Sequence, residues 1–220
     1  MELKMPKGIL FDLDGTLLDS APDFIVSLNN LLKKYGKPKL DSEIIRANVS
    51  NGSWKLISLG FQIERSHKDC KKLREELLNE YERNLLVYGG VFDGVSDILE
   101  SLKLSNIPYG IVTNKPLRFA KSIIKKEIVF EDCKALICSD HLTNMKPDPE
   151  GILKGCKELG IHPTECVYVG DHINDLEAGI NAGTKILACY YGYSLNQGSH
   201  ARHIVGANQP RDLIKLIASL

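Results

Sequence analysis

The chain has 220 residues, 43% hydrophobic and 25% charged, so it is long and apolar enough for one ordinary domain with a modest insertion. Its 28 Lys and Arg residues balance 28 Asp and Glu residues. The chain therefore lacks the excess positive charge that binding to nucleic acid or to an anionic membrane surface requires. Residues 1–20 carry acidic residues inside their only apolar stretch, so we expect no signal peptide, and no apolar run reaches the roughly 18 residues of a membrane span.

The six cysteines show neither CxxC spacing nor the accompanying histidines that are typical of zinc sites. Cysteines without such patterns are usually reduced thiols in an intracellular protein. The sequence therefore predicts free cysteines and a cytoplasmic location.

Short apolar segments that end at polar residues recur along the chain, and each is predicted to be a buried strand. These segments are Gly8–Phe11, Tyr109–Val112, Ala135–Cys138, Cys166–Val169 and Lys185–Cys189. Helical patterns follow several of them, at Val95–Leu104, Leu117–Lys126, Pro149–Leu159 and Asp175–Ala182, with a last one at Pro210–Leu220. This alternation predicts an α/β fold, a parallel sheet with helices on both faces, and ligands bound beyond the carboxyl ends of the strands.

Only helical patterns occur between residues 21 and 86, where the alternation is interrupted. They are Pro22–Tyr35, Asp41–Val49, Ser53–Leu59 and His67–Leu86. We interpret residues 19–87 as a small all-helical domain inserted into a core domain that comprises residues 1–18 and 88–220. The glycines at positions 89 and 90 would permit hinge motion at the second linker.

Two aspartates, Asp12 and Asp14, stand two residues apart at the end of the first predicted strand. Carboxylates this close in a partly desolvated site repel each other, so they need a cation, or one of them must keep its proton. A hard divalent ion such as Mg2+ accepts such oxygen ligands and can hold a phosphoryl group beside them.

The segment DLDGTLLDS at residues 12–20 resembles the first motif of the haloacid dehalogenase superfamily, and three further motifs follow in the order that this family shows. They are IVTNKP with Thr113 and Asn114, MKPDPEGI with Lys146, and VGDHINDLEAG with Asp171 and Asp175. Four motifs in order, each after a predicted strand, make a strong match. The resemblance implies a Rossmann-like core with a small helical cap, and a Mg2+-dependent phosphatase that acts on a small-molecule phosphate monoester.

The resemblance also implies a role for each matching residue at the end of the first strand. Asp12 would be the nucleophile that forms an aspartyl-phosphate, and Asp14 would be the general acid and then the general base. The Asp12 side chain, the Asp14 backbone carbonyl and Asp171 would bind Mg2+.

The remaining motif residues would serve the transferring phosphoryl group. Thr113, Asn114 and Lys146 would contact its oxygens, where fixed dipoles and a positive charge stabilise developing negative charge. Asp175 would orient either Lys146 or a metal-bound water. All these residues follow strands of one predicted sheet, so we expect them to converge.

Substrate choice is expected to lie in the cap, because the core motifs hold only the phosphoryl group. The polar turn of Ser50, Asn51 and Gly52, with Arg46 nearby, would suit a small polar or carboxylate-bearing leaving group. The TNKP and MKPDPEGI segments resemble those of phosphoglycolate phosphatases, so phosphoglycolate is the first expectation for the substrate. N-acetylmuramic acid 6-phosphate phosphatases, inorganic pyrophosphatases and β-phosphoglucomutase-type phosphomutases remain alternatives. The expected partner is thus a small phosphate ester, and the expected state is a monomer or a small homo-oligomer.

Overall fold

A computed structural model describes residues 5–195 and 204–220 of the protein. Contacts between Cα atoms divide the chain into two units. The first, here called the cap, is Asp19–Gly90, and the second, here called the core, comprises the rest of the chain. No helix in the described ranges is both long and apolar enough to cross a membrane. None of the six cysteines, all of which are described, forms a disulfide.

Eight strands form two sheets within the described residues. In chain order they are β1 (Gly8–Phe11), β2 (Leu18–Asp19), β3 (Gly90–Val91), β4 (Tyr109–Val112), β5 (Ala135–Ile137), β6 (Cys166–Gly170), β7 (Lys185–Cys189) and β8 (Gly206–Ala207). The large sheet has the order β5-β4-β1-β6-β7-β8 and is parallel at every pairing. The short strands β2 and β3 pair separately, where the chain passes between its two units.

Strand β1 lies inside the sheet, between β4 and β6, and all four of its residues are buried. Phe11, its last residue, lies opposite Ile111 of β4 and Val169 of β6. Parallel strands in this register end at one edge, so residues that follow β1, β4 and β6 are neighbours. The predicted α/β fold is confirmed, while the two-residue strand β8 was too short for its sequence to predict.

The described residues of the cap contain only helices and turns between its first and last residues. Its helices are α1 (Ala21–Lys34), α2 (Ser42–Arg46), α3 (Gly52–Phe61) and α4 (Cys70–Asn84), with a 3-10 turn at Val49–Asn51. The rings of Phe24 and Tyr81 stack at a centroid distance of 3.9 Å and join α1 to α4. The predicted helices Asp41–Val49 and His67–Leu86 are both too long, because helix α2 ends at Arg46 and helix α4 begins at Cys70.

The core contains five α-helices among the described residues. They are α5 (Val95–Leu104), α6 (Leu117–Lys126), α7 (Glu150–Leu159), α8 (Ile173–Ala182) and α9 (Asp212–Ala218). One apolar cluster joins Leu10, Val112 and Tyr168 of three neighbouring strands to residues of α7 and α8. Burial of these apolar surfaces supplies the main stabilising free energy and fixes where the strand ends lie.

Candidate active site

Three carboxylates meet at the carboxyl edge of the sheet. Asp12 follows β1, Asp171 follows β6, and Asp175 lies in the first turn of α8. Each offers one oxygen, and these three oxygens lie within 4.8 Å of one another. The backbone N–H of Asp12 donates to the Val169 carbonyl at 2.8 Å, which continues the pairing of β1 with β6 beyond the strand. The convergence expected from the motifs is therefore present for these residues.

Lys146 supplies the positive charge at this cluster of aspartates. Its Nζ lies 2.8 Å from Asp12 Oδ1, 2.6 Å from Asp175 Oδ1, 2.9 Å from the Tyr168 hydroxyl and 3.2 Å from the Val112 carbonyl. An ammonium group has only three protons, so these four acceptors saturate it. The lysine is thereby fixed beside Asp12 in a single place.

The environment shifts the pKa values of both partners in the Asp12–Lys146 pair. Burial raises the pKa of Asp12 to about 6, although the Lys146 ammonium opposes that rise. Burial alone would lower the pKa of Lys146, but the Asp12 and Asp175 carboxylates outweigh it and hold that pKa well above its usual value. Lys146 is therefore a fixed cation, while Asp12 carries a carboxylate that water solvates poorly.

Asp175 is placed to orient Lys146. Its Oδ1 accepts the short bond from Lys146, and its Oδ2 accepts from the backbone N–H of His172 at 3.0 Å. The His172 Nδ1 in turn accepts from the Asn174 N–H at 3.1 Å, which caps the start of α8. The sequence left open whether Asp175 orients Lys146 or a metal-bound water. Its contact with Lys146 suits the first role, which stays a prediction.

The side chain of Asp171 is fully buried and closely surrounded by backbone. Its Oδ2 accepts from the Tyr193 N–H at 2.9 Å. Gly15, at φ +85°, and Gly192 both press on Asp171, and a Cβ atom on either would collide with its side chain. At Gly15, only glycine combines this left-handed φ with so close an approach.

Four carboxylates and two ammonium groups meet here, because Asp14 and Lys115 join the groups already described. The remaining negative charge and the all-oxygen donor set fit a hard divalent cation such as Mg2+. The residues present therefore fit the predicted Mg2+.

The carboxylate of Asp14 forms an ion pair with Lys115. The Lys115 Nζ lies 2.9 Å from both oxygens of Asp14. Lys115 follows β4 and its side chain is only 3% exposed, whereas the Asp14 side chain is 17% exposed. Asp14, the predicted acid and base, is thus held by the lysine that follows β4, while Lys146 holds Asp12.

The pair Thr113 and Asn114 supports the loops of the site. Thr113 is buried, and its Oγ1 accepts from the Lys115 N–H at 3.2 Å. The Asn114 amide exchanges two hydrogen bonds with the backbone of Lys146, at 3.2 and 3.3 Å. Asn114 therefore fixes the loop that carries Lys146, and contact of Thr113 and Asn114 with a phosphoryl group stays a prediction.

Two site residues were missed by sequence reasoning, namely Lys115 and Tyr168. Lys115 stands inside the TNKP segment, but a lysine beside a proline in a loop is usually solvated. Tyr168 is one of five buried residues of β6 and looked like an ordinary core side chain. Its contact with Lys146 joins residues 22 positions apart, which no local spacing predicts.

The predicted cap residues differ in their surroundings. The Arg46 Nη2 lies 2.9 Å from Asp19 Oδ2, so a carboxylate already compensates its charge. Ser50 is half-buried, whereas Asn51 and Gly52 are exposed. Gly52, at φ +80°, has no atom within 4 Å of the place where a Cβ would be. Substrate binding by these four residues stays a prediction.

Comparison with known proteins agrees with this geometry. Residues 9–189 match the family described as haloacid dehalogenase-like hydrolase. The N-acetylmuramic acid 6-phosphate phosphatase of Pseudomonas aeruginosa is 37% identical over 213 residues, which cover 96% of this chain and 94% of that protein. A phosphoglycolate phosphatase of Xanthomonas campestris pv. campestris is 37% identical over 196 residues, which cover 88% and 87%. A crystal structure from Haemophilus somnus 129PT, described as a predicted phosphoglycolate phosphatase, has a TM-score of 0.85 and 26% identity, and it covers 97% of this chain and 99% of that one.

Together with these matches, the parallel sheet with aspartates and a buried lysine at its carboxyl edge identifies a hydrolase with a Rossmann-like core. The chain belongs to the haloacid dehalogenase-like hydrolase family. The predicted family, its phosphoglycolate phosphatase-like character and the prediction of an enzyme are confirmed.

Proposed function

We propose that the protein hydrolyses a small-molecule phosphate monoester through a phosphorylated Asp12. The observation that carries this proposal is the buried Asp12 carboxylate, fixed by Lys146 at 2.8 Å and surrounded by further carboxylates at the carboxyl edge of the sheet. A poorly solvated carboxylate is a better nucleophile than one in water, and the neighbouring ammonium offsets the charge of the incoming phosphate.

The reaction proceeds in two displacements at phosphorus. An Asp12 oxygen forms a bond to phosphorus while the bond to the ester oxygen breaks, and Asp14 donates a proton to the departing alkoxide. Asp14 then takes a proton from water, whose oxygen attacks phosphorus and releases inorganic phosphate and free Asp12. A single group can serve both steps because the second step needs the base that the first step leaves behind.

Other side chains of the site orient the phosphoryl group and balance its charge. Lys146 stays protonated throughout, and its bonds to Asp175 and Tyr168 keep it in place as charge moves onto the phosphoryl oxygens. The Asp12 and Asp171 carboxylates and the Asp14 backbone carbonyl would hold Mg2+. When bound, Mg2+ supplies charge neutralisation and orientation for the phosphoryl oxygens.

For the substrate, we propose N-acetylmuramic acid 6-phosphate first and 2-phosphoglycolate second, which reverses the order favoured by the motifs alone. The two relatives are equally identical to this chain, but the match to the N-acetylmuramic acid 6-phosphate phosphatase extends over 96% of the chain against 88%. Both leaving groups carry a carboxylate and suit the polar turn that contains Ser50, Asn51 and Gly52. Arg46 would act there indirectly, by holding Asp19.

The test is phosphate release from a panel of esters, measured with Mg2+ and with excess chelator. The panel contains N-acetylmuramic acid 6-phosphate, 2-phosphoglycolate, pyrophosphate, β-glucose 1-phosphate and p-nitrophenyl phosphate. We expect Mg2+-dependent release, with kcat/KM for one carboxylate-bearing ester well above that for the rest. Asn51→Ala should lower kcat/KM for that ester more than for p-nitrophenyl phosphate.

The outcomes of this panel separate the parts of the proposal. Equal activity with chelator would refute the role of Mg2+. Preference for pyrophosphate, or formation of glucose 6-phosphate from the sugar phosphate, would replace the proposed substrate by one of the alternatives. No phosphate release from any ester by folded protein would refute the proposed function.

A further inference from the structure

Lys115 is a buried cation to which the proposed reaction, as described above, assigns no role. Its ammonium is shielded from water and bonds to both oxygens of Asp14 at 2.9 Å. Lysine is rarely this buried, because removing an ammonium from water is unfavourable unless a partner compensates its charge. The compensating partner here is the residue proposed to move the proton.

The backbone of Lys115 is held on both sides. Its N–H donates to Thr113 Oγ1 at 3.2 Å, and its carbonyl accepts from the Ser139 N–H at 3.3 Å. Thr113 directly follows β4, and Ser139 lies just beyond β5. The backbone of Lys115 is therefore fixed relative to the sheet. Its ammonium, which extends from this backbone, holds the Asp14 carboxylate in a defined position.

Stability alone does not account for this ion pair. Replacing a buried ion pair by apolar side chains of similar volume often leaves a protein equally stable or makes it more stable. The pair also lies beside the carboxylates around Asp12. There the direction of the Asp14 carboxylate decides whether it can reach the leaving-group oxygen and the attacking water. A two-point contact fixes this direction more strictly than a single hydrogen bond does.

We propose that Lys115 is a positioning residue that holds the Asp14 carboxylate in the orientation required for proton transfer. The proposal rests on the proposed function, in which Asp14 is the acid and base. It differs from a role in substrate binding, because Lys115 would act on the reaction only through Asp14.

The experiment is a double-mutant cycle with p-nitrophenyl phosphate as the probe and Mg2+ present. The variants are Lys115→Met, Asp14→Asn and the combination of the two. Lys121→Met, at an exposed position of α6, is the matched control for the Lys→Met change. Nitrophenolate needs no proton to leave, so its first-turnover burst reports attack by Asp12, and later phosphate release reports activation of water by Asp14.

We expect Lys115→Met to slow steady-state phosphate release by about 10- to 100-fold while the burst rate and kcat/KM stay within about twofold of the wild type, so that KM falls together with kcat. In the Asp14→Asn background the same change should cost less than about twofold, because two residues that act as one unit are not additive. Lys115→Arg, which can also bond in a bidentate manner, should restore part of the rate.

Two results would overturn the proposal. Additive losses in the double variant would mean that Lys115 acts independently of Asp14. A burst slowed as much as the steady state would mean that it contacts the phosphoryl group. If Lys115→Met fails to fold, Lys115→Gln runs the same cycle. Wild-type protein without turnover would instead refute the proposed function and this role with it, so the two failures are distinguishable.

Discussion

The Tyr168 hydroxyl is the contact to Lys146 that can be removed with the least disturbance. In Tyr168→Phe the fully buried ring keeps its place in the apolar cluster, and only the oxygen is lost. That oxygen accepts from Lys146 at 2.9 Å and lies 3.0 Å from the Val112 carbonyl and 3.3 Å from Asp175. Lys146 would retain its bonds to Asp12 and Asp175, so we expect the site to loosen without collapsing.

The size of the effect follows from these contacts. A hydrogen bond to a charged group contributes about 1.5 to 3 kcal/mol, and we expect a loss of that order in the free energy of unfolding. For a protein of this length such a loss lowers the melting temperature by about 3 to 12 °C. A less firmly held Lys146 should also lower kcat by about 3- to 30-fold with little change in KM, since its main interaction is with the transition state.

Tyr109→Phe provides the matched control for this prediction. Tyr109 is also a buried tyrosine of the sheet, but its hydroxyl makes only a 3.5 Å contact with the Val129 carbonyl. Thermal unfolding and steady-state phosphate release should be measured for both variants. Equal effects of the two substitutions would show that the Tyr168 hydroxyl does not hold Lys146.

Further variants test the nucleophile, the predicted metal ligand and an ion pair at the start of α7. Asp12→Asn should lower turnover by about a thousandfold or more, because an amide is a poor nucleophile, and residual phosphate release near the wild-type rate would disprove a phosphorylated Asp12. Gly192→Ala should destabilise the protein by about 1 to 3 kcal/mol by displacing Asp171, and it should weaken Mg2+ binding in calorimetric titrations, where unchanged affinity would contradict the assigned ligand. The pKa of Glu150 is lowered to about 2 by Lys154 and by two N–H groups of the loop before α7, so its stabilisation is complete above its usual pKa of 4.5 and disappears as the pH falls through 2. In urea at pH 7, Glu150→Gln should therefore have a lower free energy of unfolding than the wild type, and this difference should disappear between pH 4.5 and 2. A difference that stays constant over this pH range would contradict the lowered pKa of Glu150.

Much of the fold could be predicted because its signals are local. An apolar run that stops at a polar residue identifies a buried strand without any knowledge of its partners, and β1, β4 and β7 have the predicted bounds. The short elements were predicted less well. The bounds of helix α2 were predicted too long and strand β8 was not predicted, because five and two residues are fewer than a periodic pattern needs to become visible.

The sequence by itself determined the family and the residue types at the site, because paired aspartates, a lysine and a second aspartate pair follow strands in a characteristic order. Only the tertiary structure decided which of these groups touch. It paired Lys146 with Asp175, Lys115 with Asp14, and Tyr168 with Lys146, across separations of 29, 101 and 22 residues. The physical reason is that a buried charge must find its partner in space, and the sheet register that brings strand ends together is set by the packing of the whole core.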